Sequence, residues 1–382
     1  MRVGVLAEQL AAPVPGGTGR YTASLLAALD EGSLAQDRLT FVTAWHADGA
    51  MVALHESLPA GRPVRRLPVG RRLLARLWER GSGPRLTGFD VVHAPTLLVP
   101  VLGAGRLVVT VHDAVPWTHP ETLTPRGVSF HKRMAARAAA SAAAVLTPTR
   151  AVADQLLAVL PALAADRVHV LPPGLDPLLG QWLAHGPAEE DSVAARLDLP
   201  PEGFVLFVGT REPRKGLDVL LQAMARPSAP PLPLLVVGPP GWGGVDVAAD
   251  AQAAGLGERV RVLGRLGDAA LATCYRRAHV LAVPSRAEGF GFPVLEGLAA
   301  GVPVVTSADP ALLETGAGAV LSVPVGDADA LAVALARSVG GGDDVAERVS
   351  RGRRRAAAAT WSDAATRLWQ LYRELGAGDP VR

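Results

Sequence analysis

The chain has 382 residues, of which 49% are hydrophobic and 19% are charged, and this composition excludes an intrinsically disordered protein. The length exceeds what one ordinary core needs, so we expect two domains of roughly 150–200 residues each. A formal net charge of +2 gives no sign of nucleic-acid binding, and the single cysteine, Cys274, excludes an internal disulfide framework and fits a reducing compartment.

Alternating strand and helix patterns run from residue 1 to about residue 173, an order typical of a doubly wound α/β sheet. The first strand pattern, RVGVLAE, starts without a charged leader, and no window holds the ~18 uninterrupted apolar residues that a spanning helix requires. We therefore predict a Rossmann-like domain over residues 1–180, in a cytoplasmic protein that meets a membrane only at its surface.

A glycine-rich loop, PGGTGR, follows the first strand and opens a helix. Gly16 and Gly17 would allow a phosphate or a sugar to approach backbone N–H groups. The loop lacks the GxGxxG spacing of dinucleotide-binding proteins, and no acidic ribose partner follows a clear second strand about 20 residues later. The pattern therefore argues against NAD binding.

Residues 62–85 contain eight arginines and one acidic residue, Glu79, with several leucines and Trp78 among them. An amphipathic basic helix can lie on anionic lipid, whereas many arginine-rich stretches are simply solvated protein surface. Both interpretations remain open for this stretch.

Two histidines follow the ends of predicted strands. His112 ends the strand pattern VVTVH, where an imidazole could donate a hydrogen bond to a sugar hydroxyl or to a charge that develops in a transition state. The alternative is a histidine of the core or of a helix cap. His93 has a similar position in DVVHAP, with a weaker functional case.

The periodicity breaks up between residues 172 and 187, which we interpret as an interdomain linker. A second set of strands and helices begins with FVLFVGT, so we predict a second Rossmann-like domain over residues 181–360. Two such halves imply a cleft onto which the carboxyl ends of both sets of strands open. Residues 361–382 predict a final amphipathic helix.

The stretch FVLFVGTREPRKGLDVLL places Arg211, Arg214 and Lys215 beyond the end of a strand and at the start of a helix. Cations are unfavourable near a helix N-terminus unless an anion joins them, so a diphosphate explains this cluster better than a solvated basic turn does. Only two of the 38 basic residues are lysines, which hints that position 215 requires a compact point charge.

Residues 284–307, PSRAEGFGFPVLEGLAAGVPVVTS, contain Glu288 and Glu296, separated by seven residues. Glu288 follows a predicted buried strand, at the edge where open α/β sheets bind ligands, and Glu296 lies in the next predicted helix. Gly289 and Gly291 would let backbone N–H groups approach a ligand near the positive end of that helix. Two carboxylates and a glycine turn suit a sugar nucleotide.

Asp327 and Asp329 match the DxD pattern that holds a divalent metal in some glycosyltransferases. Their position at a predicted helix start favours Asp327 as an N-cap instead. We find no other paired-carboxylate metal site, so we expect neither a metal nor a cofactor.

The motifs EGFGFPVLEGLAAGVPVV, VGTREPRKGLDVLL, PGGTGRYTASLL and VHDAVPWTHPE together resemble the retaining glycosyltransferases of family 4. The match spans nearly the whole chain and is most similar to the bacterial mannosyltransferase-type branch. The resemblance implies the GT-B fold, in which two Rossmann-like domains lie across a cleft and the final helix crosses back to the N-terminal domain.

The resemblance also implies roles for the residues of the glutamate motif. Glu288 would accept hydrogen bonds from hydroxyls of the donor sugar, and backbone N–H groups of Gly289, Phe290 and Gly291 would assist it. Glu296 would bind the ribose of the nucleotide.

By the same resemblance, Lys215 and a neighbouring arginine would neutralise the diphosphate leaving group. Many members of the family have an arginine where this chain has Thr210, so either Arg211 or Arg214 would supply that charge. Thr210 itself would lie in the donor site.

Gly16 and Gly17 would lie near the donor phosphate and the acceptor, and His112 near the reacting sugar. We expect His112, Glu288 and Lys215 to take part in a metal-independent, retaining transfer, with GDP-mannose as the leading donor and a glycan or lipid-linked acceptor. A sugar-nucleotide epimerase and a non-catalytic sugar-nucleotide-binding protein remain alternatives.

Overall fold

The computed structural model of the protein describes residues 1–12, 16–186 and 188–377, and the chain divides into two compact α/β units. The first unit comprises residues 1–120, residues 124–174 and the chain from Thr360. The second unit comprises Glu121–Leu123 and Leu175–Ala359. The N-terminal part of the first unit thus extends to residue 174, compared with the expected boundary at residue 180.

Nine strands belong to the first unit: β1 Arg2–Leu6, β2 Arg38–Trp45, β3 Val64–Gly70, β4 Arg85–Leu86, β5 Val91–Ala94, β6 Val101–Leu102, β7 Arg106–Thr110, β8 Ala144–Thr147 and β9 Val168–Val170, counted over the described residues. Seven of them form a parallel sheet in the order β3-β2-β1-β5-β7-β8-β9, and β4 pairs with β6. Strands β5 and β8 are buried along their whole length, as expected for parallel strands covered on both faces.

The helices that follow these strands are α1 Gly16–Glu31, α2 Asp48–Glu56, α3 Arg71–Glu79, α4 Val115–Thr118, α5 Pro125–Ser141 and α6 Arg150–Val159. Threonine caps begin two of them: Thr124 accepts a hydrogen bond from the N–H of Gly127 in α5, and Thr149 accepts one from the N–H of Val152 in α6. Short 3₁₀ helices occur at Glu8–Ala11, Pro120–Thr122 and Ala165–Arg167.

The second unit is built on a six-stranded parallel sheet. Its strands are β10 Val205–Val208, β11 Leu234–Val237, β12 Val260–Gly264, β13 Val280–Val283, β14 Val304–Ser307 and β15 Leu321–Val323. They are arranged in the order β12-β11-β10-β13-β14-β15. The order reverses at β10, and an open α/β sheet binds its ligands beside such a reversal, at the carboxyl ends of the strands.

The helices of the second unit are α7 Pro177–His185, α8 Glu190–Arg196, α9 Leu217–Met224, α10 Val247–Ala253, α11 Asp268–Arg277, α12 Phe292–Ala300, α13 Pro310–Gly316, α14 Ala328–Gly340 and α15 Asp343–Ala357. Two 3₁₀ helices, Pro213–Lys215 and Gly257–Arg259, also lie in this unit.

Helix α7 lies in the segment that we expected to be a linker, so that expectation was wrong for this part of the chain. Asp176 caps the helix by accepting a hydrogen bond from the N–H of Leu179 at 3.0 Å. Leu179 and Leu183 are buried against α11 and α12. This apolar face is the reason that the second unit begins at Leu175.

The last described helix, α16 Trp361–Ala377, packs against α1 and β5 of the first unit. Its buried face repeats at helical spacing and consists of Trp361, Ala364, Ala365, Leu368, Trp369 and Tyr372. The indole N–H of Trp369 donates to the carbonyl oxygen of Leu29 in α1 at 3.0 Å.

The basic stretch 62–85 contains β3, α3 and β4. The apolar face of α3 is used by the core, because Leu74 and Trp78 are buried there, while Leu73 is 51% exposed. Glu79 pairs with Arg126 and Arg133 of α5. Over the described residues, no helix combines the length and the apolar character that crossing a membrane requires.

Candidate active site

Glycine allows two loops to pack closely at the carboxyl edge of the second sheet. Gly216, after β10, has φ +67°, and a Cβ on it would lie 2.1 Å from the carbonyl oxygen of Pro284, after β13. Next to this approach, the N–H of Arg286 donates to the carbonyl oxygen of Arg214 at 2.7 Å. The loop that carries the basic residues therefore lies directly against the loop that carries Glu288.

The carboxylate of Glu288 is buried at the centre of this arrangement. Its Oε1 accepts hydrogen bonds from Nζ of Lys215 at 2.5 Å and from Oγ of Ser285 at 2.8 Å. Its Oε2 accepts one from Nη1 of Arg214 at 2.8 Å. Two cations and one hydroxyl thus converge on a single carboxylate.

The cations keep Glu288 ionised despite its burial. Burial raises the pKa of this carboxyl, but attraction to Lys215 and Arg214 outweighs burial and lowers the pKa to about 2. At neutral pH the group is an acceptor of hydrogen bonds and is not a proton donor.

Arg214 is held from two sides. Nε and Nη2 both donate to Oε1 of Glu212, at 3.0 and 2.7 Å, and Nη1 also donates to the carbonyl oxygen of Ala287 at 2.8 Å. Glu212 is buried, and burial raises the pKa of its carboxyl although Arg214 and Lys215 oppose the effect. Glu212 was not predicted from the sequence, because a glutamate in a basic turn belongs to no motif.

Of the two arginines that the sequence left open, Arg214 is the one that shares Glu288 with Lys215. Arg211 forms a backbone bridge to Pro240 instead, and its Nε is buried without a hydrogen-bond partner within the described residues. Thr210 and Arg211 lie close to Gly241, where a Cβ would come within 2.8 Å of Cγ2 of Thr210.

The Gly-Phe-Gly turn is fixed by the following helices. Gly291 has φ +88° and precedes α12, and a Cβ on it would lie 2.4 Å from Cδ2 of Leu312 in α13. The hydroxyl of Thr315 in α13 donates to the carbonyl oxygen of Phe290 at 2.5 Å. Gly289 and Phe290 are buried in this turn, and the turn opens a nine-residue helix whose N-terminus is electropositive.

Asp309 connects the glutamate loop to α13. Its Oδ1 accepts hydrogen bonds from the N–H groups of Ala311 and Leu312 as an N-cap, and its Oδ2 accepts one from the N–H of Glu288 at 3.3 Å. The sequence analysis missed this residue. An aspartate directly before Pro310 and after a strand is a helix-start signal that could have found it.

Glu296 lies on the buried face of α12. The hydroxyl of Tyr275 in α11 donates to its Oε2 at 2.6 Å. Tyr275 was also missed, and no local sequence signal connects it with Glu296, because the two residues belong to different helices.

His112 follows β7 in the first unit. Its Nε2 lies 2.7 Å from the carbonyl oxygen of Pro95, and a carbonyl only accepts, so Nε2 carries the hydrogen. Burial lowers the pKa of His112, although Pro95 and Asp113 oppose the effect. A neutral His112 therefore has an unprotonated Nδ1, which is suited to accept a hydrogen bond.

His93 is packed in the core of the first unit. It is fully buried in β5, with Nδ1 2.6 Å from the hydroxyl of Tyr372 and Nε2 2.9 Å from Oγ1 of Thr110. Burial lowers its pKa to about 3, with a smaller effect of His112. Its position after the strand pattern therefore reflects packing inside the first unit.

Gly16 and Gly17 are exposed at the start of α1. Gly16 has φ +61°, and a Cβ on it would meet no atom within 4 Å, so its backbone is accessible. Pro15, which begins the expected PGGTGR loop, lies outside the described residues.

Asp327 caps α14 by accepting a hydrogen bond from the N–H of Ala330 at 2.9 Å, which confirms the predicted N-cap. Asp329 instead pairs with Arg226 at 2.8 Å. Across residues 1–12, 16–186 and 188–377, no group of three or more His, Cys, Asp or Glu side chains is arranged to hold a metal ion.

Two family models match the chain on either side of the unit boundary. Residues 15–178 match the family described as Glycosyltransferase Family 4, and residues 191–355 match Glycosyl transferases group 1. The chain is 34% identical over 280 residues to D-inositol 3-phosphate glycosyltransferase 1 of Catenulispora acidiphila, with 65% of each chain covered. The match therefore spans slightly less than two thirds of that relative's length.

A second relative is O-antigen chain mannosyltransferase B of Escherichia coli, which is 29% identical over 291 residues, or 75% of this chain and 74% of the relative. Among solved structures, the sucrose-phosphate synthase of Thermosynechococcus elongatus has a TM-score of 0.74 at 22% identity, with 99% of both chains covered.

Anabaena HepE, solved with UDP-glucose, has the same TM-score at 18% identity, with 98% of this chain and 100% of that chain covered. Identities this low establish a shared fold only. The two family models show that the chain belongs to the family 4 glycosyltransferases, and the solved structures show that it shares the GT-B fold.

Proposed function

We propose that this protein transfers a sugar from a nucleoside-diphosphate sugar to a hydroxyl group of a glycan or lipid-linked acceptor, and that it retains the anomeric configuration. The observation that carries the proposal is the buried carboxylate of Glu288 between Lys215 and Arg214, beside a glycine turn at a helix N-terminus. A carboxylate accepts hydrogen bonds from sugar hydroxyls, and cations and backbone N–H groups bind phosphates. These groups therefore suit a sugar nucleotide.

In this proposal the donor sugar binds at Glu288 and the Gly289–Gly291 turn. Glu288 is ionised, so it accepts hydrogen bonds from sugar hydroxyls. Glu296, oriented by Tyr275, would accept those of the ribose.

The diphosphate would bind at Lys215 and Arg214. Both cations contact Glu288 in the structure, so the proposed diphosphate site and the proposed sugar site lie side by side. As the bond to the sugar breaks, negative charge grows on the β-phosphate, and fixed cations stabilise it without having to reorganise. We propose that these side chains supply the charge neutralisation that a metal supplies in other transferases.

The ionisation of Glu288 also bears on stereochemistry. A carboxylate that is paired with two cations is a weak nucleophile and a weak base, so a covalent glycosyl-enzyme intermediate at Glu288 is disfavoured. We therefore propose that the acceptor hydroxyl attacks the face from which the nucleotide leaves. The unprotonated Nδ1 of His112 would accept a hydrogen bond from a hydroxyl of the reacting sugar, and the accessible Gly16–Gly17 backbone would assist donor and acceptor binding.

GDP-mannose is the proposed donor, because one of the relatives is named a mannosyltransferase. HepE, solved with UDP-glucose, makes a UDP-sugar the alternative donor. A GT-B epimerase would convert the sugar nucleotide without an acceptor, and a binding protein would hold it unchanged.

The first test is thermal unfolding of the purified protein with GDP, UDP, ADP or dTDP, each with and without EDTA. A nucleotide at ~100 times its dissociation constant should stabilise the protein by about 2.7 kcal/mol. A rise in melting temperature with one nucleotide, unchanged by EDTA, would support a donor site that needs no metal. The matching nucleotide sugar is then incubated with glycan and lipid-linked acceptors, and product without acceptor would favour the epimerase.

If none of the four nucleotides stabilises the protein, the proposed donor site is wrong. If a nucleotide stabilises the protein but no acceptor gives a product, the protein is better explained as a non-catalytic sugar-nucleotide-binding protein.

We also propose peripheral contact with an anionic membrane through the exposed arginines of the stretch 62–85. Because Leu74 and Trp78 are buried, this contact would be mainly electrostatic. Sedimentation with vesicles containing anionic lipid should therefore fall steeply with salt. Binding that survives high salt, or no binding at all, would contradict the proposal.

A further inference from the structure

A chain of buried polar and aromatic side chains connects α16 to His112 inside the first unit. It begins at the hydroxyl of Tyr372 in α16, which lies 2.6 Å from Nδ1 of His93. Nε2 of His93 lies 2.9 Å from Oγ1 of Thr110, and this oxygen lies 3.4 Å from the hydroxyl of Tyr21 in α1. The ring of Tyr21 then meets the ring of His112.

The last contact fixes the orientation of the His112 imidazole. The ring centroids of Tyr21 and His112 are 4.6 Å apart and the rings are nearly perpendicular, at 84°. In this arrangement the positive edge of one ring points at the negative face of the other. Together with the hydrogen bond from Nε2 to Pro95, this ring contact restrains the imidazole and the direction of its Nδ1.

The intermediate members of the chain are uncharged. Burial lowers the pKa of His93 to about 3 and raises the pKa of Tyr21 to about 12, so at neutral pH the former is a neutral imidazole and the latter a neutral phenol. A neutral imidazole donates with one nitrogen and accepts with the other. The two nitrogens of His93 therefore take opposite roles toward Tyr372 and Thr110, so the direction of one hydrogen bond sets the direction of the other.

Helix α16 contacts Tyr21 a second time. The ring of Trp361, at the start of α16, lies 5.3 Å from the ring of Tyr21 at an angle of 67°. Trp361 and Tyr372 are separated by about three helical turns and lie on the same buried face. Both ends of this face thus restrain Tyr21, one directly and one through His93 and Thr110.

We propose that Tyr21 is a positioning residue for His112, and that α16 holds Tyr21 in place through Tyr372 and Trp361. This inference rests on the proposed role of His112 in transfer. It adds to that function a structural requirement: α16 must hold Tyr21 in place beside His112.

The test uses the full-length protein with ¹⁵N-labelled histidine and the variant Tyr372→Phe. This change removes one hydroxyl and touches neither Tyr21 nor His112. The imidazole signals of His112, assigned with His112→Gln, should show one Nε2-protonated tautomer in the wild type and shifted or broadened signals in the variant. The matched control is Leu368→Val, which leaves a small cavity in the same buried face of α16 and keeps every polar contact of the chain.

Turnover provides the second readout, with the donor selected by thermal unfolding. Tyr372→Phe should lower kcat on the order of 10-fold with little change in the donor KM, because small displacements of a catalytic group are costly. Tyr21→Phe keeps the ring contact but removes the hydroxyl next to Thr110, so it should lower kcat about as much as Tyr372→Phe does, whereas Tyr21→Leu also loses the ring contact and should lower kcat further. Equal activities of these two variants would contradict the role of the ring.

The two proposals fail in different ways. If the wild-type protein transfers no sugar, the proposed function fails, but the histidine spectra still decide whether α16 controls His112. If Tyr372→Phe and Leu368→Val give the same His112 signals as the wild type, the positioning role is wrong even for an active transferase.

Discussion

Nζ of Lys215 lies 2.5 Å from Oε1 of Glu288, although 73 residues separate them in the chain. Arg214 approaches the other oxygen of the same carboxylate at 2.8 Å. The residue proposed to bind the sugar therefore also places the cations proposed to bind the diphosphate. A ligand that binds one of these groups changes the charge that the others experience.

We first predict that Lys215→Met lowers turnover by about 10²-fold or more, because the leaving group loses a fixed positive charge. The fold should be preserved, since Glu288 keeps Arg214 and Ser285 as partners. Steady-state kinetics and circular dichroism measure the two effects. The matched control is Lys132→Met, at the only other lysine, which lies over the ring of Trp117 in the first unit. Equal losses in the two variants would contradict the prediction.

The second prediction concerns pH and Glu288. The cations lower its pKa from 4.5 to about 2 in the folded protein, so the ionised carboxylate stabilises the fold at pH values above 4.5. That stabilisation is lost as the pH falls from about 4.5 towards 2. Glu288→Gln should therefore lower the free energy of unfolding at pH 7, and its difference from the wild type should shrink below pH 4.5. Urea unfolding at several pH values measures this; a pH-independent difference would refute it.

The third prediction separates helix capping from site geometry with two aspartates. Asp309→Ala and Asp327→Ala each remove an N-cap, and each should cost about 0.5–2 kcal/mol of stability. Asp309 alone also accepts from the N–H of Glu288, so only Asp309→Ala should reduce transfer. Melting temperatures and kcat/KM compare the two variants. Similar activity in both would show that the contact to Glu288 is dispensable.

The fourth prediction tests the ribose role of Glu296. A hydrogen bond to a charged group contributes about 1.5–3 kcal/mol, so Glu296→Gln should weaken nucleotide binding by roughly 10-fold or more. The wild type should also bind a 2′,3′-dideoxy nucleotide more weakly than the ordinary one. The variant should discriminate little between them. Calorimetric titrations give the four affinities, and unchanged discrimination in Glu296→Gln would exclude direct contact with the ribose.

Most of the fold followed from local patterns. The buried strand predicted before Glu288 is β13, and the helix predicted around Glu296 is α12. The segment at residues 177–185 did not follow. The helix formed there depends on the packing of Leu179 and Leu183 against helices that are distant in the sequence. A short apolar stretch between prolines and glycines gives no sign of these packing partners.

The sequence by itself determined that this is an α/β protein of two halves, because strand periodicity is a local property, and the spacing of Glu288 and Glu296 predicted a sugar-nucleotide site. Only the tertiary structure decided that Arg214, and not Arg211, shares Glu288 with Lys215. It likewise decided that Glu212 and Asp309 support the cluster, since hydrogen bonds between loops depend on how the chain folds back on itself.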